Sequence, residues 1–323
     1  MRITALAGGI GGARFLRGLK YHTHQAGIDA EITVIGNTGD DIWMHGLRVC
    51  PDLDTVMYTL GGGISEERGW GREGETFVVK AELQAYGIKS NWFGLGDQDL
   101  ATHLIRTQML KTGYPLSDVT AALCERWQPG VTLLPMTNDR AETHVVVDIG
   151  DSMRRAVHFQ EWWIKHQARI PALEFITVGG DEAKPAPGVL DAIAHADVIV
   201  LPPSNPVVSI GTILGIAGIR DAIANASANV IGLSPIVSNA PVRGMADKCL
   251  PVLGVPVTAE GVALHYGAEI LDGWLVDTSD ESSVAAIEAA GIACRAVPLM
   301  MRDVDASAAM AAEALALAES LAT

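Results

Sequence analysis

Short apolar segments alternate along this chain with segments of helical pattern, and this alternation limits the folds available to it. The segment ITALAG precedes a helical pattern, RFLRGLKYH, and EITVIG follows that pattern. Runs that are apolar throughout are typical of strands buried on both faces of a parallel sheet. Further strand candidates of this kind are VTLLP, THVVVDI, EFITVG, DVIVLP, NVIGLSP, GWLVD and CRAVPL. The sequence therefore predicts an α/β fold with a doubly wound, mainly parallel sheet.

The stretch from residue 61 to residue 167 has a different character. It contains more helix and turn signals than the flanking sequence, and it holds five of the seven tryptophans. We predict that residues 61–167 form an inserted, mostly helical subdomain. Residues 1–60 and 168–323 then form the α/β core.

Composition excludes several classes of function. Hydrophobic residues make up 49% of the 323 residues, and the formal net charge of −15 disfavours binding to nucleic acid or to an anionic membrane. No apolar run approaches the ~18 residues of a membrane-spanning helix. The four cysteines are scattered without metal-type spacing, as in proteins of a reducing compartment. We therefore expect a soluble, cytoplasmic protein with no nucleic-acid or membrane partner.

A glycine-rich loop separates the first predicted strand from the first predicted helix. Residues 8–12 contain four glycines, which let backbone N–H groups approach an anion at a helix N-terminus. The loop matches the dinucleotide fingerprint only in part, because Arg14 occupies the third glycine position and Asn37 follows the second strand where an acid is expected. The loop indicates a site for phosphate or a polar ring rather than for a nicotinamide cofactor.

Two acidic clusters follow the second predicted strand. Asp40 and Asp41 come directly after it, and Asp52 and Asp54 follow a short apolar segment. If the first two strands end at the same edge of the sheet, Asp40 or Asp41 meets Asp52 there and offers the hard oxygen ligands that Mg²⁺ prefers. The alternative is that Asp52 or Asp54 caps the helical pattern LDTVMYTLGG. The position of both clusters beside the glycine loop favours a metal site.

Serine and asparagine side chains follow two later strands. Ser204, Asn205 and Ser209 come after DVIVLP, and Ser234 follows NVIGL. Turns with Asn-Pro are common in loops, but at the carboxyl end of a buried strand the same side chains indicate contacts to a nucleotide. Individual histidines such as His103 are interpreted as structural, because none belongs to a helical pair with metal-ligand spacing.

Several segments together resemble the 2-phospho-L-lactate transferase family, which acts in the biosynthesis of coenzyme F-420. The similar segments occur in the family's order along nearly the whole chain: AGGIGGARFL, NTGDDIWMHGLRVCPDLDTVMYTLGG, WFGLGDQDLATHLIRTQML, LPMTNDRAETHV, HFQEWW, LPPSNPVVSIGTIL, LSPIVSNAPVRGMADKC and ILDGWLVD. The wording GDDIWMHG and GGGISEERGWG is most similar to the actinobacterial branch, whose donor acid is phosphoenolpyruvate. The resemblance implies a Rossmann-like nucleotide-binding core and a homodimer.

The resemblance also implies a reaction. The family transfers a 2-phospholactate or phosphoenolpyruvate unit from a guanosine-diphosphate-linked donor to the ribitol hydroxyl of the deazaflavin Fo, releases GMP and uses Mg²⁺. Carried over onto this sequence, Asp40 and Asp52 are the catalytic metal pair, with Asp41 as the alternative to Asp40. Asp52, Gly96 and Asp97 are expected near Fo. The implied phosphate and nucleotide contacts are Gly9, Gly11, Gly12, Thr38, Ser204, Asn205, Ser209 and Ser234.

Two departures and two alternatives accompany this resemblance. Gln98 and Gly36 stand where the family commonly has Arg and Val, which leaves open the deazaflavin contacts of the GLGDQD segment. A nucleotide-sugar-binding regulator of the related gluconeogenesis-factor type shares the glycine loop and the SNP turn, but the segments CPDLDT and GLGDQD are expected of the transferase. A dinucleotide oxidoreductase is disfavoured by Arg14 and Asn37.

Overall fold

The computed structural model describes residues 1–89, 92–150 and 153–322, and these form an α/β structure. The strands are β1 (Arg2–Ala7), β2 (Glu31–Gly36), β3 (Ile42–Met44), β4 (Leu47–Val49), β5 (Thr132–Pro135), β6 (Glu142–Asp148), β7 (Arg154–His158), β8 (Ala172–Val178), β9 (Val198–Leu201), β10 (Asn229–Leu233), β11 (Ile236–Val237), β12 (Ala240–Pro241), β13 (Gly273–Val276) and β14 (Ala293–Ala296). The α-helices are α1 (Gly9–Gln25), α2 (Pro51–Leu60), α3 (Val78–Ala85), α4 (Asp99–Lys111), α5 (Leu116–Trp127), α6 (Val189–Ala194), α7 (Ile210–Leu214), α8 (Ile219–Ala224), α9 (Ala246–Cys249), α10 (Ala259–Tyr266), α11 (Val284–Ala289) and α12 (Val304–Leu321). Single turns of other helix types lie at Glu161–Lys165, Leu250–Leu253 and Thr278–Ser283.

Seven strands of the described residues form the central sheet, in the order β14-β13-β10-β9-β1-β2-β5, and all of its neighbouring pairs are parallel. Ile3 in β1 is in register with Ile32 in β2 and with Val198 in β9. The chain leaves β1 toward β2 and β5 on one side, and returns to β9 on the other. The strand order therefore reverses between β1 and β9, where open α/β sheets bind their ligands.

Alternate residues of β1 pack into opposite helical layers. Ile3, Ala5 and Ala7 belong to a core that includes side chains of α1, α2, α5 and α12, while Leu6 belongs to a core with α6, α7, α8 and α10. Burial on both faces explains why the strand sequence is apolar throughout. The predicted doubly wound, Rossmann-like parallel sheet is confirmed.

The segment predicted as a helical insertion, residues 61–167, has a mixed structure. Its described part contains α3, α4 and α5, but β5 pairs with β2 at the edge of the central sheet. Strands β6, β7 and β8 form a separate antiparallel sheet that continues to Val178 and packs around Trp162. The apolar runs VTLLP and THVVVDI thus form strands within residues 61–167.

No helix among the described residues is long and apolar enough to cross a membrane.

The contact between α1 and α12 depends on a close backbone approach. A Cβ atom at Gly18 would lie 2.4 Å from the carbonyl carbon of Ser307. We expect Gly18→Val to lower the free energy of unfolding by about 2 kcal/mol, because the added side chain overpacks this contact. Ala309→Val, at an exposed position of α12, should cost less than about 1 kcal/mol. Urea denaturation of both variants tests this; equal losses would contradict it.

Candidate functional site

The loops after β1, β2 and β9 border a cavity of about 630 Å³ at the point where the strand order reverses. Gly9 and Gly11 line it from the first loop, Asp40 lines it from the second, and Ser204 lines it from the third. Asp52, near the start of α2, completes this end of the cavity. Because parallel strands end at the same edge, residues distant in sequence meet here.

The glycine loop is shaped by the loop that follows β9. A Cβ atom at Gly11 would lie 2.4 Å from the Pro203 carbonyl oxygen, and one at Gly12 would lie 2.8 Å from Ser204 Oγ. The Ser204 hydroxyl donates a hydrogen bond of 2.9 Å to the carbonyl of Gly8. These glycines therefore let the two loops pack together, in addition to exposing backbone N–H groups of α1 at the cavity. Gly12 is not among the described residues that line it.

Asn37 holds Asp40 and Asp52 together. Its Nδ2 group donates to Asp52 Oδ2 at 2.9 Å and to Asp40 Oδ1 at 3.2 Å. The other oxygen of Asp40 accepts a hydrogen bond of 3.0 Å from Gln160 Nε2, and Asp52 also accepts one from the backbone N–H of Gly9. Both carboxylates are buried, with 7% and 6% of their surface exposed.

The buried pair lacks a cationic partner. No described lysine, arginine or histidine forms an ion pair with Asp40 or Asp52, since their hydrogen-bond donors are neutral amides. Burial, together with the charge of Asp52, raises the pKa of Asp40 well above its ordinary value. Burial likewise raises the pKa of Asp52 to about 7. Two buried carboxylates without a counter-charge at a ligand cavity are a candidate functional site.

This pair fits a divalent cation that takes few protein ligands. The described residues hold no group of three or more His, Cys, Asp or Glu side chains placed to bind a metal ion. Mg²⁺ is often bound by one or two carboxylates, with water and substrate phosphates in its remaining positions. Asp40 and Asp52 are the residues that would hold it.

Asp41 points away from this pair. Its Oδ2 atom accepts hydrogen bonds from the Arg48 guanidinium at 3.1 Å and from the Cys50 thiol at 3.0 Å. Burial raises the pKa of Asp41 to about 6, although the charge of Arg48 opposes this. Asp41 is outside the described cavity lining, so the geometry separates the two alternatives: Asp40 lies beside Asp52, and Asp41 belongs to a buried ion pair.

The GLGDQD segment is held by helix-capping interactions. Asp97 accepts hydrogen bonds from the backbone N–H groups of Val78 and Val79, at 2.8 and 2.9 Å, at the start of α3. A Cβ atom at Gly96 would collide with Glu75, whose carboxylate accepts the N–H of Asp99 at the start of α4. Neither Gly96 nor Asp97 is among the described residues that line the cavity.

The remaining predicted contacts divide in the same way. Asn205 and Ser209 line the cavity, and Asn205 Oδ1 also accepts the N–H of Val207 at 2.9 Å. Thr38 is buried. The Ser234 hydroxyl donates a hydrogen bond of 2.7 Å to the carbonyl of Ile236 within its own turn. Neither Thr38 nor Ser234 is part of the described lining.

Sequence reasoning missed a polar wall built by α2 and α4. Tyr58 Oη lies 2.5 Å from Asp99 Oδ1, and His103 Nε2 lies 3.4 Å from Asp99 Oδ2. Asp54 forms a buried ion pair with Arg106, and its Oδ2 atom has no hydrogen-bond partner within the described part of the chain. Asp54, Tyr58, Asp99 and His103 all line the cavity. The four-residue spacing within each helix, 54 to 58 and 99 to 103, is the signal that could have revealed this wall.

Aromatic side chains form another part of the lining, namely Trp70, Phe93, Phe159 and Trp163. Of the two adjacent tryptophans, Trp162 is in the core beside Phe175, whereas Trp163 reaches the cavity. The cavity thus combines a carboxylate pair and backbone amides with flat apolar surfaces.

This chain is similar to known proteins over nearly its whole length. A family model described as 2-phospho-L-lactate transferase CofD matches residues 3–313. The chain is 68% identical to a phosphoenolpyruvate transferase of Streptomyces griseus over 99% of both chains, and 62% identical to one of Thermobifida fusca over 98% of both. A solved UPF0052-family protein of Bacillus halodurans aligns with a TM-score of 0.62 at 17% identity, covering 97% of this chain and 98% of that one, and so has a similar fold.

The carboxylate pair should make the metal-free protein less stable as the pH rises. Because folding raises the pKa of Asp40 and Asp52, the folded state binds their protons more tightly than the unfolded state. The resulting stabilisation is full below about pH 4, the unfolded pKa, and is lost as the pH rises through 7. We expect Asp40→Asn to raise the free energy of unfolding at pH 8 by on the order of 1 kcal/mol, with little effect at pH 4.

Urea denaturation in a chelating buffer measures this difference. Asp97→Asn is the control of opposite sign, because hydrogen bonds from Thr76 and from α3 lower the pKa of Asp97, so its charged form stabilises the fold at pH 8. A loss of stability at pH 8 in Asp40→Asn would contradict the prediction.

Proposed function

The chain belongs to the 2-phospho-L-lactate transferase CofD family, and we propose that it transfers a phosphoenolpyruvate unit from a guanosine-diphosphate-linked donor to the ribitol hydroxyl of the deazaflavin Fo, releasing GMP. The names of its relatives, which are 54–68% identical, support phosphoenolpyruvate as the acid. The observation that carries the proposal is the buried pair of Asp40 and Asp52, which faces a large cavity without a cationic partner.

The proposed reaction forms one bond to phosphorus and breaks another. The ribitol oxygen attacks the phosphorus that carries the acid, the bridge to the second phosphorus breaks, and the hydroxyl proton is released. Phosphoryl transfer of this kind requires alignment of the attacking and leaving oxygens and neutralisation of charge more than a strong base. A buried cavity with fixed charges and amides meets these requirements.

Asp40 and Asp52 are proposed to hold a Mg²⁺ ion, which when bound would neutralise the diphosphate and the departing GMP. Asn37 and Gln160 fix the directions of the two carboxylates through their hydrogen bonds. The N-terminal end of α1 lines the same cavity, and because the Gly9 N–H is bonded to Asp52, the backbone N–H of Gly11 is the one proposed to favour an anion there. Ser204, Asn205 and Ser209, which line the cavity from the loop after β9, are proposed to bind the nucleotide side of the donor.

The acceptor is proposed to lie against the aromatic part of the lining. Trp70, Phe93 and Trp163 offer flat surfaces to a tricyclic ring. The α2–α4 wall, with Asp54, Tyr58, Asp99 and His103 in the lining, is proposed to supply polar groups to the ribitol chain.

We expect Asp52→Asn to lower the rate of transfer by on the order of 10²–10³-fold, because the charge that holds the cation is halved. The measurement is mass spectrometry of Fo and its product, with GMP release followed in the same samples, for the enolpyruvyl and lactyl donors in turn. Asp181→Asn, at an exposed position outside the described lining, is the matched control and should retain turnover.

Circular dichroism establishes that both variants fold. A folded Asp52→Asn protein with normal turnover would overturn the metal assignment. Wild-type protein that binds the donor but transfers nothing to Fo would instead favour the regulatory alternative.

A further inference from the structure

One arginine side chain is part of the described cavity lining. Among the described residues, Arg243 is the one lysine or arginine in the lining, which it joins together with Val242 and Gly244 in the loop after β12. The same lining contains the carboxylates of Asp40 and Asp52. The chain has a net charge of −15, so basic side chains are in the minority. An arginine in the lining of this cavity therefore indicates that the cavity binds an anion.

The guanidinium of Arg243 is held in place on one side. Its Nη2 atom donates a hydrogen bond of 3.2 Å to the carbonyl of Arg68. The group also lies against Gly69, where a Cβ atom would be 2.6 Å from Nη2 and 2.9 Å from Nη1. Gly69 has a φ of +72°, so glycine serves both the backbone conformation and the space that the guanidinium occupies. Within the described part of the chain the Arg68 carbonyl is the one hydrogen-bond acceptor of this guanidinium, so its other N–H groups can bind a ligand.

A second arginine lies near the first. Arg14 is one helical turn after Ile10, which lines the cavity, and its charge, added to the effect of burial, lowers the pKa of Arg243. Neither arginine forms an ion pair with a carboxylate in the described residues, whereas Arg48 and Arg106 both do. Two neighbouring like charges without a counter-ion favour the binding of an anion between or beside them.

We propose that Arg243, supported by Arg14, binds the carboxylate of the acid that is being transferred. This rests on the proposed function, in which the donor carries a diphosphate and one carboxylate. In that proposal the diphosphate is bound by the cation that Asp40 and Asp52 would hold and by the N-terminal end of α1. The carboxylate is the remaining charge, and the planar guanidinium matches it with two parallel hydrogen bonds.

The test is a cycle of binding measurements that needs no turnover. The first ligand is GDP whose terminal phosphate is esterified by the hydroxyl of lactate, and the second is the same compound with its carboxylate masked as a methyl ester. Isothermal titration calorimetry in the presence of Mg²⁺ measures the affinity of the protein for each. Wild-type protein should bind the free acid at least about tenfold more tightly than the masked compound. Arg243→Gln should bind the two equally, while its affinity for GDP itself stays within about twofold of wild type.

Three further variants separate loss of binding from effects on folding and on net charge. Gly69→Ala displaces the guanidinium and should weaken binding of the acid, whereas Gly62→Ala, with a similar φ of +74° and nothing within 4 Å, should not. Arg154→Gln removes an exposed arginine on β7 and controls for net charge.

The outcomes are distinct. If Arg243→Gln weakens the acid, the masked compound and GDP by the same factor, the arginine contacts phosphate and the carboxylate assignment is overturned. Unchanged affinity for all three also overturns it. If the cycle gives the expected result but Fo is not converted, the proposed transfer fails while the carboxylate site remains. Wild-type protein that binds none of the three compounds would overturn both.

Discussion

One buried side-chain amide, that of Asn37, joins three segments of the site. Asn37 is fully buried, and its Nδ2 group lies within 3.3 Å of Asp40 Oδ1, Asp52 Oδ2 and the carbonyl of Val208. Its own Oδ1 accepts the N–H of Gly39. The side chain thus connects the end of β2 to the start of α2 and to the loop after β9. In dinucleotide-binding sheets an acid after the second strand binds a ribose; here an amide occupies that place and orients two carboxylates instead.

The buried aspartates around this cavity are of two kinds: some form an ion pair with an arginine, and others do not. Asp41 pairs with Arg48 and Asp54 pairs with Arg106, so their charges are balanced inside the protein. Asp40 and Asp52 are equally buried but have only neutral donors. An unbalanced buried charge destabilises the fold, and such groups are concentrated at sites where a ligand supplies the missing charge. The distribution of arginines therefore favours Asp40 and Asp52 as a ligand site on grounds that do not depend on any resemblance.

Sequence reasoning reached the fold and the loops of the site, but not the directions of side chains. Apolar periodicity identified the strands, and the rule that parallel strands end at one edge brought Asp40 near Asp52. Asp40 and Asp41 are adjacent in sequence, and what separates them is Arg48, which reaches Asp41 from the short hairpin of β3 and β4. Asp97 is expected near Fo from the resemblance alone, and its carboxylate accepts backbone N–H groups at the start of α3.

The departures from the family pattern also have local explanations. A Cβ atom at Gly36 would lie 2.5 Å from Leu53 Cδ2, so glycine here lets α2 pack closely on the end of β2. Leu53 directly follows Asp52, and this close approach therefore helps to bring Asp52 to Asn37. The Gln98 side-chain amide donates a hydrogen bond of 2.8 Å to the carbonyl of Gly74. Neither residue belongs to the described cavity lining. Both departures thus act on how loops pack around the site, since neither Gly36 nor Gln98 is among the described residues that line the cavity.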